Sequence, residues 1–459
     1  MWKALFAALF AVTTLHAQTT IPAETKARAL RDEALRDPTA WTIVRDLTTR
    51  FGPRPAGSPA ERAAAEWTAQ QMKNLGLSNV RIQSFPLAPW QRGAERGEIV
   101  GPPAQPLAIT ALGGIGATPE QGVEGEVAIF ATLADLQAAP PNSLTGKVAM
   151  VNYQMPRLES GQGYGIASAA RGQGPVEAAQ RGAVAFVLRS AGTAQQHRLP
   201  HTGSTRLVDG KAPIPAFALS GPDADQIERL AQIGPVRLRL FSSAQLVPGG
   251  TSQNVIGEIP GQKRDEIIVI GAHLDSWDLG TGAVDDGAGV AIVMAAAKML
   301  AAQKPQRTIR VVLYGSEEVS QPQAPFFLAG ANAYAEGHKD DTPRTVIASE
   351  SDLGAGRIYS LGLPEGWAAA EIGSVAGRVL LPLGIILSRE PAPHGGADSF
   401  PLQQAGRPVF LLFQDASQYF DLHHTADDTL DKIDPAALNQ NVAAWTSLVW
   451  LLSELAPLK

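Results

Sequence analysis

Histidine and carboxylate residues recur in this chain just after apolar runs. His273-Leu-Asp275 closes one run, Glu317-Glu318 follows a second, Glu350-Ser-Asp352 ends a third, and His423-His424 lies beyond a fourth. Each alone has an ordinary reading: a strand-end histidine in a salt bridge, a solvated acidic turn, a capped loop. Together they supply imidazole and carboxylate donors, the types that hold divalent metal ions. In a strand, positions i and i+2 point the same way, so Asp275 can support the ring of His273. Gly282-Ala-Val-Asp285-Asp286-Gly287-Ala-Gly289 opens a helical run with two acids where a single cap would need one. Adjacent side chains point apart, so within Glu317-Glu318 one carboxylate can bind a metal while the other handles protons.

The elements around these residues predict how they meet. EIIVIGAH (266–273), TIRVVLYG (308–315), RTVIASE (344–350) and PVFLLFQ (408–414) read as buried strands. GVAIVMAAAKMLAAQ (289–303) and the amphipathic stretch 434–455 read as helices. Strands alternating with helices predict an α/β fold, a mixed, mostly parallel sheet flanked by helices. Such sheets bind ligands beyond the carboxyl ends of their strands, so the acids and histidines converge on one cleft. Upstream, 24–37 and 59–76 show helical spacing around the Pro/Gly loop FGPRPAGSP (51–59), and VRIQSF (80–85) alternates like a strand. Residues 124–243 predict a separate β-rich module with strands at 124–130, 146–153, 183–190, 214–220 and 236–241, and helices at 174–182 and 222–232.

Composition bounds the rest. The 459 residues are 45% hydrophobic and 18% charged, which excludes a disordered chain and leaves room for two domains. A net charge of −6 without a run of five like charges argues against nucleic acid as a partner. With no cysteine, disulfides and thiolate metal sites are excluded, so any zinc must use His and carboxylate ligands. Residues 1–17 read as a signal peptide, with Lys3, the apolar stretch Ala4 to Val12 and Leu15-His16-Ala17 before the cleavage point. The expectation is an exported protein, periplasmic or extracellular, with no membrane anchor. Of the remaining histidines, His197, His201 and His338 lie in polar stretches that predict surface positions, and His394 is left undecided.

The combined pattern resembles the M28 family of zinc exopeptidases. It is carried by His273-Leu-Asp-Ser-Trp-Asp-Leu-Gly-Thr-Gly-Ala-Val-Asp285-Asp286-Gly-Ala-Gly, Glu317-Glu318, Ser351-Asp352 and His424-Thr425-Ala-Asp427. Gly52-Pro-Arg-Pro-Ala-Gly57-Ser matches the family's N-terminal loop. The resemblance implies a peptidase domain in two parts, 18–120 and 248–459, around an inserted protease-associated domain at 121–247. It implies two Zn2+ ions per chain: Asp285 bridges them, His273 and Asp352 complete one, and Glu318 and His424 the other. Glu317 is then the general base and Asp275 the support of His273, and the peptide after Asp285 is cis. His424 is preferred to His423 because it directly precedes the Thr-x-x-Asp segment. His423, Tyr419 and His394 are candidate substrate contacts. A water shared between two zinc ions loses a proton near neutral pH, and Glu317 would carry that proton to the leaving amine.

The extra module precedes the first ligand, whereas the M20 peptidases carry theirs late. Glutaminyl cyclases share the fold but depart from the two-metal ligand set, which is complete here. The expected activity is hydrolysis of short peptides, dipeptides foremost. The alternatives are an aminopeptidase for longer peptides and a non-enzymatic, receptor-like member of the fold. A homodimer is suggested by the resemblance alone.

Overall fold

The computed structural model describes residues 21–101, 104–322 and 328–457. The signal peptide expected at 1–17 lies outside these residues. No helix among them is long and apolar enough to cross a membrane.

The main sheet has five strands: β1 (Ser78–Leu87), β2 (Gly250–Ile259), β3 (Lys263–His273), β4 (Arg307–Tyr314) and β5 (Thr345–Glu350). Their order is β1-β2-β4-β3-β5. β3 pairs in parallel with β4 and with β5, while β2 pairs antiparallel with β1 and β4. β3 and β4 carry Ile268, Ile270, Val311 and Leu313 in the core, all fully buried. Strands this apolar require cover on both faces, as parallel sheets generally do. The cover includes the helices Ala288–Ala301 and Pro435–Leu455, which pack on each other as well as on the sheet. A bridge from Ala348 to Val409 continues the layer into a small sheet of Ile358–Gly362, Ile386–Leu387 and Leu411–Gln414.

The register decides where the chemistry falls. His273 pairs with Tyr314 and Gly271 with Glu350, so β3, β4 and β5 end at one edge. Their following residues all enter the same space. The helix Ala288–Ala301 starts at that edge too, with the Asp286 carboxylate accepting the Gly289 amide at 2.9 Å.

A second, eight-stranded sheet has its own hydrophobic core. Its central strands Val123–Phe130, Lys147–Val151, Ala185–Arg189 and Ala216–Leu219 are parallel, with helices at Leu133–Ala138, Tyr164–Gln180 and Gly221–Ala231. It is thus an α/β unit as well as a strand-rich one. It also starts earlier than residue 121. Glu95–Ile99 and Gln105–Pro106 extend one edge and Ile109–Ala111 the other, because Arg237–Ser242 and Ala216–Leu219 need partners on their open sides. A short ribbon of Trp90–Gln91 with Gln245–Leu246 ties the two crossings between the sheets together.

Candidate metal centre

His273, the last residue of β3, is almost fully buried. Its Nε2 lies 3.1 Å from Asp285 Oδ1 and 3.4 Å from Asp352 Oδ1. On the other side of Asp285, Oδ2 lies 3.4 Å from His424 Nε2, which is 2.9 Å from Glu318 Oε2. Asp285 therefore stands between two imidazole–carboxylate groups. The Asp285–Asp286 peptide is cis, as the resemblance implied.

Backbone contacts hold this arrangement. Asp428 accepts the amide of Val284 at 2.6 Å and that of Asp285 at 3.3 Å. Arg54 is fully buried and donates to the carbonyls of Leu274, Thr281 and Gly282 at 2.8 Å each, so its fork fastens the glycine-rich loop to β3. Trp277 donates its indole N–H to Glu318 Oε2 at 2.6 Å, while its ring packs in the core of the second sheet.

One expected contact takes a different form. Nδ1 of His273 bonds the carbonyl oxygen of Asp275 at 3.0 Å, and the Asp275 carboxylate lies farther away, at 3.8 Å. That carboxylate instead accepts the amides of Glu317 at 3.0 Å and Glu318 at 3.3 Å. The turn after β4 exposes those amides at the strand end, and a carboxylate is the stronger acceptor for them. Asp275 thus orients the ring through its main chain and the Glu pair through its side chain.

The His423-His424 loop is built by both sheets. The two rings stack with centroids 3.5 Å apart, and His424 has a φ of 62°. From the second sheet's side, the Thr202 carbonyl faces His424 Nδ1 at 3.2 Å, and His201 Nδ1 bonds the His423 carbonyl at 2.7 Å. Tyr164 Oη lies 3.4 Å from His423 Nε2, and Arg157 holds Asp421 with both carboxylate oxygens, at 2.6 and 2.7 Å. His201 is accordingly buried, contrary to the surface position expected of its polar segment, because its partner is a main-chain group of a distant loop. His197 is exposed and His338 half-buried. Tyr419 is buried and packs against His423. His394 is exposed, its Nδ1 accepting the Gly396 amide, and the structure does not bring it into the cluster.

The electrostatics are those of crowded buried acids. Burial, reinforced by neighbouring carboxylates, pushes Glu317 and Glu318 well above the usual carboxylate range. Burial also raises Asp352 and lifts Asp428 to about 7. Against its own burial, His273 is held well above the imidazole value by Asp352 and Asp285, whereas burial lowers His424 to about 3. Asp285 Oδ2 and Glu318 Oε1 are buried without a hydrogen-bond partner among the described residues. Such atoms are costly unless something cationic reaches them. Among the described residues, three sets of donors lie close enough to share an ion: His273, Asp285 and Asp352; Asp285, His423 and His424; His273, Glu317 and Glu318. The donor set and its orphaned oxygens fit divalent cations with nitrogen and oxygen ligands.

Arg54, Trp277, Tyr164 and His201 escaped the sequence reading as parts of the site. A charged residue inside a Pro/Gly loop was the available signal for Arg54. The other three act across the two sheets, which one segment's pattern cannot reveal.

Sheet and site together define an α/β protein with a buried histidine–carboxylate centre suited to divalent cations. The model of peptidase family M28 matches residues 254–449. Carboxypeptidase Q of Bos taurus is 31% identical over 89% of this chain and 84% of its own length. Its Xenopus laevis counterpart is 32% identical over 88% and 83%. The chain belongs to peptidase family M28. An M28 peptidase precursor from Shewanella amazonensis superposes with a TM-score of 0.89 at 42% identity, covering 95% of this chain and 99% of that one. A zinc aminopeptidase from Bacillus subtilis shares the fold, with a TM-score of 0.62 at 22% identity over 90% of this chain and 94% of that one.

Proposed function

We propose that this chain is an exported two-zinc exopeptidase that hydrolyses short peptides, dipeptides foremost. The observation that carries the reading is Asp285, one carboxylate facing His273 and Asp352 on one side and His424, beside Glu318, on the other. One zinc would be held by His273, Asp285 and Asp352, and a second by Asp285, Glu318 and His424. Zinc bound there supplies Lewis acidity to the scissile carbonyl and acidity to water. Glu317 is the proton carrier: it takes a proton from the attacking water and returns it to the leaving amine. Asp275 fixes the direction of that carboxylate by holding the amides of Glu317 and Glu318. The Arg54 fork and Asp428 keep the 281–286 backbone from relaxing when charge moves in the cleft.

The unit spanning roughly 95–242 takes the role of an inserted protease-associated domain. Tyr164, His201 and Thr202 reach from it to the His423-His424 loop, which supports its acting as a wall that limits substrate length. The leader-like sequence of residues 1–17 supports the export part of this reading.

Hydrolysis of a matched set tests the reading: a free dipeptide, its N-acetyl form, its C-terminal amide and a pentapeptide. Cleavage confined to the free dipeptide is expected. Equal cleavage of the amide and the pentapeptide would make the enzyme an aminopeptidase instead.

A further inference from the structure

Arg171 lies on the helix Tyr164–Gln180 of the second sheet's unit. Its Nε and Nη1 are sealed from solvent and meet no acceptor among the described residues. The guanidinium carbon stands 5.6 Å from the Tyr164 ring centre. Room for it comes from Gly203, where a Cβ would approach the guanidinium to 2.4 Å. The residues flanking Gly203 touch the metal centre: Thr202 through His424, and Ser204 through the Glu318 carbonyl at 2.7 Å. Tyr164 stands between Arg171 and His423, which is itself 3.7 Å from Asp285.

A guanidinium cannot shed its charge, and burying its donors without acceptors is unfavourable. The ordinary way to satisfy it is an anionic carboxylate. A substrate cleaved at the metal centre brings one. The free C-terminal carboxylate of a dipeptide lies one residue, about 3.5 Å of chain, beyond the scissile bond. Arg171 stands one side chain beyond His423 on the second sheet's side. We propose that Arg171 receives the free C-terminal carboxylate of the substrate and so restricts cleavage to the last peptide bond. This rests on the peptidase reading and gives the second sheet's unit a share in specificity as well as in shape.

The test uses wild type, Arg171→Met and Arg171→Lys on three compounds: a dipeptide with neutral side chains, its C-terminal amide, and the amide of a dipeptide ending in Glu. Wild type should favour the free dipeptide by about 10–100-fold in kcat/KM, the range of a charge-assisted hydrogen bond. Arg171→Met should lose that preference mainly through KM, and Arg171→Lys should keep part of it, since an ammonium retains the charge without the planar fork. Three outcomes would overturn the proposal: equal cleavage of acid and amide by wild type, an equal loss on both in Arg171→Met, or cleavage of the Glu amide at the rate of the free dipeptide. The last would assign the anion site to a side chain. If wild type cleaves none of the three, the peptidase reading fails on its own. Calorimetric binding of the free dipeptide, present in wild type and weakened in Arg171→Met, then decides the carboxylate site separately.

Discussion

Glu317 and Glu318 are neighbours in sequence with different surroundings. Glu318 is tied to Trp277 and His424, whereas Glu317 makes no such contact among the described residues. Replacing Glu317 by Gln preserves shape but removes a proton acceptor, so kcat should fall by about 10²–10⁴ with KM and metal content near normal. Glu318→Gln should lose one metal ion, because a neutral amide is the poorer ligand, and should regain part of its activity in excess zinc. Elemental analysis beside kcat for both variants checks this. Zinc loss in Glu317→Gln with retention in Glu318→Gln would mean that the two roles are exchanged. The types and spacing of His273, Asp285, Glu317-Glu318, Asp352 and His424 were legible in the sequence because strand ends must deliver them to one edge. The partner of Asp275 was not legible, because it is a pair of backbone amides and these leave no compositional trace.

Elements were readable where burial follows a simple period. β3, β4 and β5 are runs of β-branched residues, and the helix Ala288–Ala301 is almost wholly apolar. β2 shows no apolar period because its first half includes Ser252-Gln253-Asn254, which is both polar and buried. Asn254 accepts the Gly315 amide at 3.0 Å and donates to the Gly330 carbonyl at 2.9 Å, so its burial is satisfied by groups remote in sequence. The helix Thr39–Phe51 was missed between two better-marked segments, although Ile43, Val44 and Leu47 form its buried face. The first helix, Pro22–Ala34, docks through a charge that its own pattern does not explain. Glu24 is buried between Arg28 and Arg378, each at 2.7 Å. The hydrogen bond from Arg378, with that from Arg28, outweighs burial and holds Glu24 below its ordinary pKa. A carboxylate whose folded pKa is depressed contributes stability above its unfolded value, and that contribution disappears as pH falls through the folded one. Glu24→Gln should therefore cost about 1–2 kcal/mol at pH 7, the low figure reflecting two arginines that are more than a third exposed. The deficit should shrink below about pH 4.3, the unfolded carboxylate value. Melting temperatures of both proteins across pH 3–7 decide it, and a gap that stays constant down to pH 3 would refute the assignment.

At the scale of the whole molecule, the metal centre is where the two units and both halves of the chain meet. β3, β4 and β5 bring the acids and His273, the second sheet holds the His423-His424 loop, and Arg54 comes from the N-terminal loop. Asp285, Glu317, Glu318 and Asp352 crowd into one buried space, where like charges oppose each other's ionisation. Cations bound there remove that opposition and add binding energy to the folded state alone. A single site filled at about 1,000 times its Kd contributes about 4.1 kcal/mol. Chelation should thus lower the melting temperature by several degrees as well as abolish activity, and zinc should restore both. The effect should reach beyond the main sheet, because the loop that carries His424 is also gripped by Arg157, His201 and Thr202. Hydrogen exchange after metal removal should accordingly speed up in 419–425 and in 193–204 together, while β3 and β4 stay protected. An unchanged melting temperature after verified loss of metal would remove the ions from this site, and faster exchange in 419–425 alone would uncouple the second sheet from it.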